Sequence, residues 1–82
     1  GQSQSKGFNI SDINAKQNIQ KIGVLDNGLN LYKYEYKPEL QEEWGYGTQI
    51  GVMAQEVEQV KPEAVMQLAN GFKAVNYSMV YN

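Results

Sequence analysis

The 82-residue sequence predicts an α+β fold, a small domain of short helices and β-hairpins. Three observations carry that expectation. Residues 29–37 alternate with a period of two and are rich in tyrosine, the pattern of a strand. Asn70-Gly71 stands between two apolar runs, the strongest short-range hairpin signal. Ala54, Val57 and Val60 recur at helical spacing, yet strands and helices do not alternate regularly enough for βαβ units.

Taken in order, residues 1–9 are polar and glycine-punctuated, so the stretch up to residue 10 reads as a flexible or extended linker or upstream segment. Ser11-Asp12 is expected to open a helix, with Ser11 as N-cap and Asp12 at the positive end of the helix dipole. Ile13, Ile19 and Ile22 would form its intermittent apolar stripe. Asp26-Asn27-Gly28 signals a turn. In the strand that follows, Leu29, Leu31, Lys33 and Glu35 face one way and Asn30, Tyr32, Tyr34 and Tyr36 the other. Pro38 ends it. Residues 39–48 read as a loop or loose hairpin connection, and Thr48–Met53 as a strand pairing with 29–36. Ala54–Val60 is a helix that Pro62 stops. Ala64–Leu68 and Phe72–Val75 form a hairpin around Ala69-Asn70-Gly71, and the last residues start another helix. Met53, Met66 and Met79 are read as core.

Composition narrows the chemistry. The chain has no histidine, cysteine or arginine, which rules out a Ser-His-Asp triad, a cysteine nucleophile, a Cys/His zinc site, a disulfide and an arginine clamp. No cofactor or metal is expected. A net charge of −2 supplies no basic field for nucleic acid, and no apolar run is long enough to span a membrane or resembles a signal peptide. A domain of this size buries only roughly 60–65% of its unfolded surface, so oligomerisation is one physical remedy for its small core.

Serine with lysine is the nucleophilic dyad that remains, and Ser11 and Lys16 are the candidates. Such a lysine needs burial or nearby positive charge to lower its pKa. On a regular helix the two would lie about 140° apart, at about 3.6 residues per turn, and would not share a face; a capping Ser11 relaxes that constraint. The competing structural reading is an N-cap serine beside a solvated Asp12–Lys16 pair at i, i+4. The acidic pairs Glu42/Glu43 and Glu56/Glu58 read as solvated, and nothing singles out a glycosidase pair. The tyrosines, with Trp44 and Phe72, suit packing or an interface, or stacking on sugars.

Two longer segments resemble a known family. Ser11-Asp12 followed by Lys16-Gln17-Asn18-Ile19 is similar to the opening of the peptidase S74 domains, Ser-Asp-x-Arg-Leu-Lys-x-Asn-Ile. Ile50-Gly51-Val52-Met53-Ala54-Gln55-Glu56-Val57, with Pro62-Glu63-Ala64-Val65, resembles the family's Gly-hydrophobic-x-Ala-Gln-Glu-Val stretch and its sequel. Asn70-Gly71-Phe72-Lys73-Ala74-Val75-Asn76-Tyr77 is similar to its ending. These are C-terminal intramolecular chaperone domains of phage tailspikes, tail fibres and endosialidases, and they also occur in some eukaryotic membrane-bound transcription factors. The resemblance covers residues 11–82 and implies an intramolecular chaperone over that span. Its partners would be the upstream β-structured fibre domain of its own chain and two further copies in a homotrimer. It would be a virion tail protein precursor made in the host cytoplasm, whose chaperone domain is released after cleavage.

The resemblance further implies a self-cleaving serine endopeptidase acting once, at Ile10–Ser11. Ser11 would be the nucleophile and Lys16 the general base, with Asp12, Asn18, Gln55 and Glu56 in support. The positions of the family's arginine and leucine hold Asn14 and Ala15 here. The alternatives are a non-cleaving trimerisation module of the same fold and a small tyrosine-rich glycan-binding module.

Overall fold

The computed structural model describes residues 8–81, and the start of the predicted linker, residues 1–7, lies outside them. Two three-stranded antiparallel sheets and three short helices make up the domain, in agreement with the expected α+β class. Strand β1 (Phe8–Ile10) pairs with β6 (Lys73–Asn76), which pairs in turn with β5 (Val65–Gln67). The second sheet runs β2 (Lys16–Val24), β3 (Asn30–Tyr36), β4 (Gln49–Gly51), each neighbour antiparallel. Helices α1 (Pro38–Trp44) and α2 (Ala54–Val60) lie between strands, and α3 (Tyr77–Val80) follows β6.

Several expected elements stand where the sequence placed them. The tyrosine-rich strand is β3, its partner is β4, and the helix at Ala54–Val60 is α2. The hairpin of β5 and β6 turns at Asn70-Gly71, where Gly71 takes φ 92°, a conformation that costs a side chain-bearing residue dearly. A short helix does begin at Tyr77.

The segment after Ser11 differs. Instead of a helix, a 3-10 turn at Ile13–Ala15 leads straight into the nine-residue strand β2. Asp12, not Ser11, caps that turn, its side chain accepting from the Asn14 amide. The helical stripe was sparse, and Asn14 and Asn18 are poor helix residues; pairing along the whole of β3 outweighs so weak a local preference. Asn18 sits at φ 54° where the β2–β3 register slips by one residue, a bulge that asparagine tolerates better than most residues. Residues 39–48 also differ, because Pro38 both ends β3 and occupies the first turn of α1, where its missing N–H is harmless.

Two packed clusters form the core. Leu29, Val52, Ala54, Val57, Ala64, Val75 and Val80 make one; Ile10, Ala15, Tyr34, Tyr36 and Met53 make the other. Val52 and Met53 point into different clusters, so the backbone between β4 and α2 runs along the seam. Of the three methionines expected in the core, Met53 is fully buried and Met79 packs partly against it, but Met66 is exposed at the short β5.

Candidate functional site

The seam holds three buried polar residues, Ser11, Asp12 and Lys16. Ser11 directly follows β1, Lys16 begins β2, and the turn between them folds the chain so that Lys16 Nζ lies 3.3 Å from Ser11 Oγ. The tight turn, not a helix face, brings together two side chains that helical spacing would have separated. Ala15 fixes the turn: its amide bonds the Asp12 carbonyl, its own carbonyl accepts from the Lys37 amide, and its methyl is fully buried.

Around Ser11 Oγ the contacts converge. The Val52 carbonyl lies 2.9 Å from Ser11 Oγ and 2.9 Å from Lys16 Nζ, and the Tyr77 hydroxyl lies 2.8 Å from Ser11 Oγ. The Tyr34 ring covers Lys16, with Nζ 3.8 Å from its centroid. Gly51 makes this crowding possible, since a Cβ there would come within 2.6 Å of the Tyr77 hydroxyl.

Burial drives the Lys16 ammonium down to a pKa of about 7, and the Asp12 carboxylate only partly opposes it. A neutral amine is thus available near pH 7. It has one lone pair and two N–H groups, so it can accept the Ser11 hydroxyl proton while still donating to the Val52 carbonyl. Asp12 shows the reverse balance. Burial pushes its carboxyl up, but hydrogen bonds outweigh that and hold it below the usual carboxylate range. They come from the Asn14 amide, the Gln55 side chain, the Lys73 amide and the Asn14 side chain.

The expected supporting residues divide. Gln55 belongs to the site's frame, donating to Asp12 and accepting from the Ile13 amide at 3.0 Å. Asn18 bonds Glu35 at the β2 bulge, and Glu56 accepts from the Tyr32 hydroxyl and the Asn30 amide group; neither reaches Ser11. Glu56 is also not simply solvated, and neither is Glu58, which pairs with Lys73. Asn14, at the position of the family's arginine, is exposed and, among the described residues, bonds Asp12 alone, whereas Ala15 is fully buried. Sequence reasoning missed Tyr34, Tyr36, Tyr77 and the Val52 carbonyl. The alternation did put Tyr34 and Tyr36 on one face, but nothing in it showed that this face meets Ser11.

The scissile bond expected from the resemblance, Ile10–Ser11, is buried at both residues. The Ser11 amide donates to the Lys73 carbonyl at 3.0 Å, and the Ser11 carbonyl accepts from the Ala54 amide at 2.8 Å. No group of three or more metal-ligating side chains occurs among the described residues, and none of their helices is long and apolar enough to cross a membrane. A family model for Peptidase_S74, described as chaperone of endosialidase, matches residues 11–66. The match begins on Ser11 and takes in Lys16, the turn, and the β4–α2 seam. No solved structure gives a significant match to the chain.

Proposed function

The chain belongs to the Peptidase_S74 family, chaperone of endosialidase, and from that premise we propose that it is an intramolecular chaperone that cuts itself free at Ile10–Ser11. The observation that carries the cleavage is the buried Ser11 Oγ–Lys16 Nζ contact, with a lysine whose pKa lies at about 7. Lys16 takes the hydroxyl proton as Ser11 Oγ attacks the carbonyl carbon of Ile10. The C–N bond breaks, the proton passes to the departing Ser11 nitrogen, and an ester links Ile10 to Oγ. Water then opens the ester, leaving a carboxylate on Ile10 and restoring the Ser11 hydroxyl.

The arginine that the family places before its lysine is not needed for this lysine's pKa. Burial alone accounts for the lowering, and the side chain at position 14 faces solvent. Assembly as a homotrimer with the upstream fibre domain has its own support. β2 is an edge strand and leaves Ile19, Ile22 and Val24 exposed, Val24 at 59%. Such an edge invites another chain. Cleavage gives the process direction: once severed, the chaperone can no longer assist unfolding, and the assembled product becomes kinetically stable. For the glycan-binding alternative, Tyr34 and Tyr36 turn inward and offer no stacking face, which leaves it the exposed Tyr46 and Tyr81.

The test is incubation of the full chain at pH 8, followed by mass spectrometry beside Ser11→Ala and Lys16→Ala. A fragment beginning at Ser11, absent from both variants, is expected. An intact wild-type chain that forms trimers in sedimentation would assign the protein to the non-cleaving module instead.

A further inference from the structure

The cleavage chemistry just described creates negative charge on the Ile10 carbonyl oxygen, and serine and lysine leave that charge unattended. The scissile peptide is trans, as are all peptide bonds among the described residues, so its N–H and C=O point in opposite directions. Its N–H points at the Lys73 carbonyl in β6. Its C=O therefore points away from β6, off the free edge of β1. No backbone amide can meet it there through strand pairing. The group that does meet it is the Tyr36 hydroxyl, which donates to the Ile10 carbonyl at 3.3 Å.

We propose that Tyr36 is a catalytic residue of the cleavage, the hydrogen-bond donor that holds the oxyanion formed on Ile10. The inference rests on the self-cleavage reading and adds a third residue to it. Tyr36 is placed by structure rather than by chance rotation. It pairs with Lys16 across β2 and β3, so one register fixes both the base and the donor. Its ring is buried and packs edge-on against Tyr34, the residue that covers Lys16. Burial raises the pKa of its hydroxyl, so it holds its proton near pH 7, where neutral Lys16 becomes available.

A donor–acceptor separation of 3.3 Å is long for O–H···O, whose usual value is about 2.7–2.8 Å. A contact loose on the neutral carbonyl and tighter on the oxyanion favours the transition state over the ground state. Atoms balance without help from elsewhere. The electron pair of the C=O moves to oxygen as the C–Oγ bond forms, and returns as the C–N bond breaks. Tyr36 keeps its proton throughout.

The test is Tyr36→Phe in the full chain, which removes the hydroxyl and retains the ring. Cleavage is expected to slow by about 100-fold or more, the loss seen when one oxyanion donor is deleted. The midpoint of its pH profile should stay near 7, because Lys16 remains buried. A shift of the midpoint with the loss of rate would mean a merely structural role, and an unchanged rate would overturn the proposal outright. In a Ser11→Ala background, with Ile10 carrying a ¹³C carbonyl, Tyr36→Phe should move the carbonyl resonance to lower frequency. An unmoved resonance also overturns the proposal. If wild type never cleaves, the peptidase reading falls and takes the catalytic role with it. If wild type cleaves and Tyr36→Phe matches it, only the role of Tyr36 falls.

Discussion

Burying Lys16 has a thermodynamic signature that does not depend on cleavage. Its pKa falls from 10.5 to about 7 on folding, which disfavours the buried ammonium by roughly 5 kcal/mol at about 1.4 kcal/mol per pKa unit. The sign follows from proton counts. Between pH 7 and 10.5 the unfolded chain holds a proton that the folded chain has lost, so stability rises with pH across that window; below 7 both forms are charged and the folded state carries the whole penalty. From pH 7 to 9 the gain is about 2 kcal/mol, a sizeable share of the roughly 5–15 kcal/mol that a domain has in total. The perturbation is Lys16→Met, which keeps an unbranched side chain and removes the charge, made in a Ser11→Ala background so that every sample stays intact. Urea unfolding at pH 6, 7, 8 and 9 is the assay. The parent should gain stability with pH, and the methionine variant should lose that gain and be the more stable of the two at pH 6. A parent profile flat from pH 6 to 9, or equal slopes in both proteins, would refute the reasoning.

Other outcomes follow from the same geometry. Cleavage should rise with pH through about 7 and then level off, so that at pH 5 the rate, read from gel band intensities, is about 100-fold below its plateau. Gly51→Ala drives a methyl against the Tyr77 hydroxyl and, at 3.2 Å, the Tyr34 hydroxyl; it should displace Tyr77 from Ser11 and slow cleavage at least tenfold, or about 1.4 kcal/mol of barrier, in a timed mass-spectrometric assay. Asp12→Ala strips the partner from the half-buried Lys73 amide and the turn's own cap, and should lower urea stability by about 2–4 kcal/mol. Asn14→Arg, at an exposed position, should leave stability within about 0.5 kcal/mol and the cleavage midpoint where it was.

Much of this domain was legible because its signals are local. Asn70-Gly71, the β3 alternation and the spacing of Ala54, Val57 and Val60 each specify their element within a few residues, and each element formed there. The β2 strand was not legible, because its stabilisation comes from β3, beyond the turn at Asp26-Asn27-Gly28, and its own residues lean weakly to either state. The dyad shows the same division. Ser11 and Lys16 were found by elimination and by a family pattern, while their contact depends on a tight turn that helical arithmetic argued against. Tyr36 and Tyr77 come to the site from 25 and 66 residues away along the chain, a convergence that only the packed sheets create.

Strand β1 would give the proposed cleavage a delayed outcome. Phe8, Asn9 and Ile10 pair with Asn76, Val75 and Ala74, and the Ile10 side chain is wholly inside the core. Hydrolysis of Ile10–Ser11 cuts the backbone at a point where the severed end is still zipped into a sheet. The two products are then held by a three-residue ladder and by one buried isoleucine, whose burial alone is worth about 1.5–3 kcal/mol. Parting is governed by an off-rate rather than by bond chemistry. A denaturing gel would then record two chains while the native protein still travels as one, and tension on the chain ahead of β1, peeling the strand from its end, would set when the chaperone leaves.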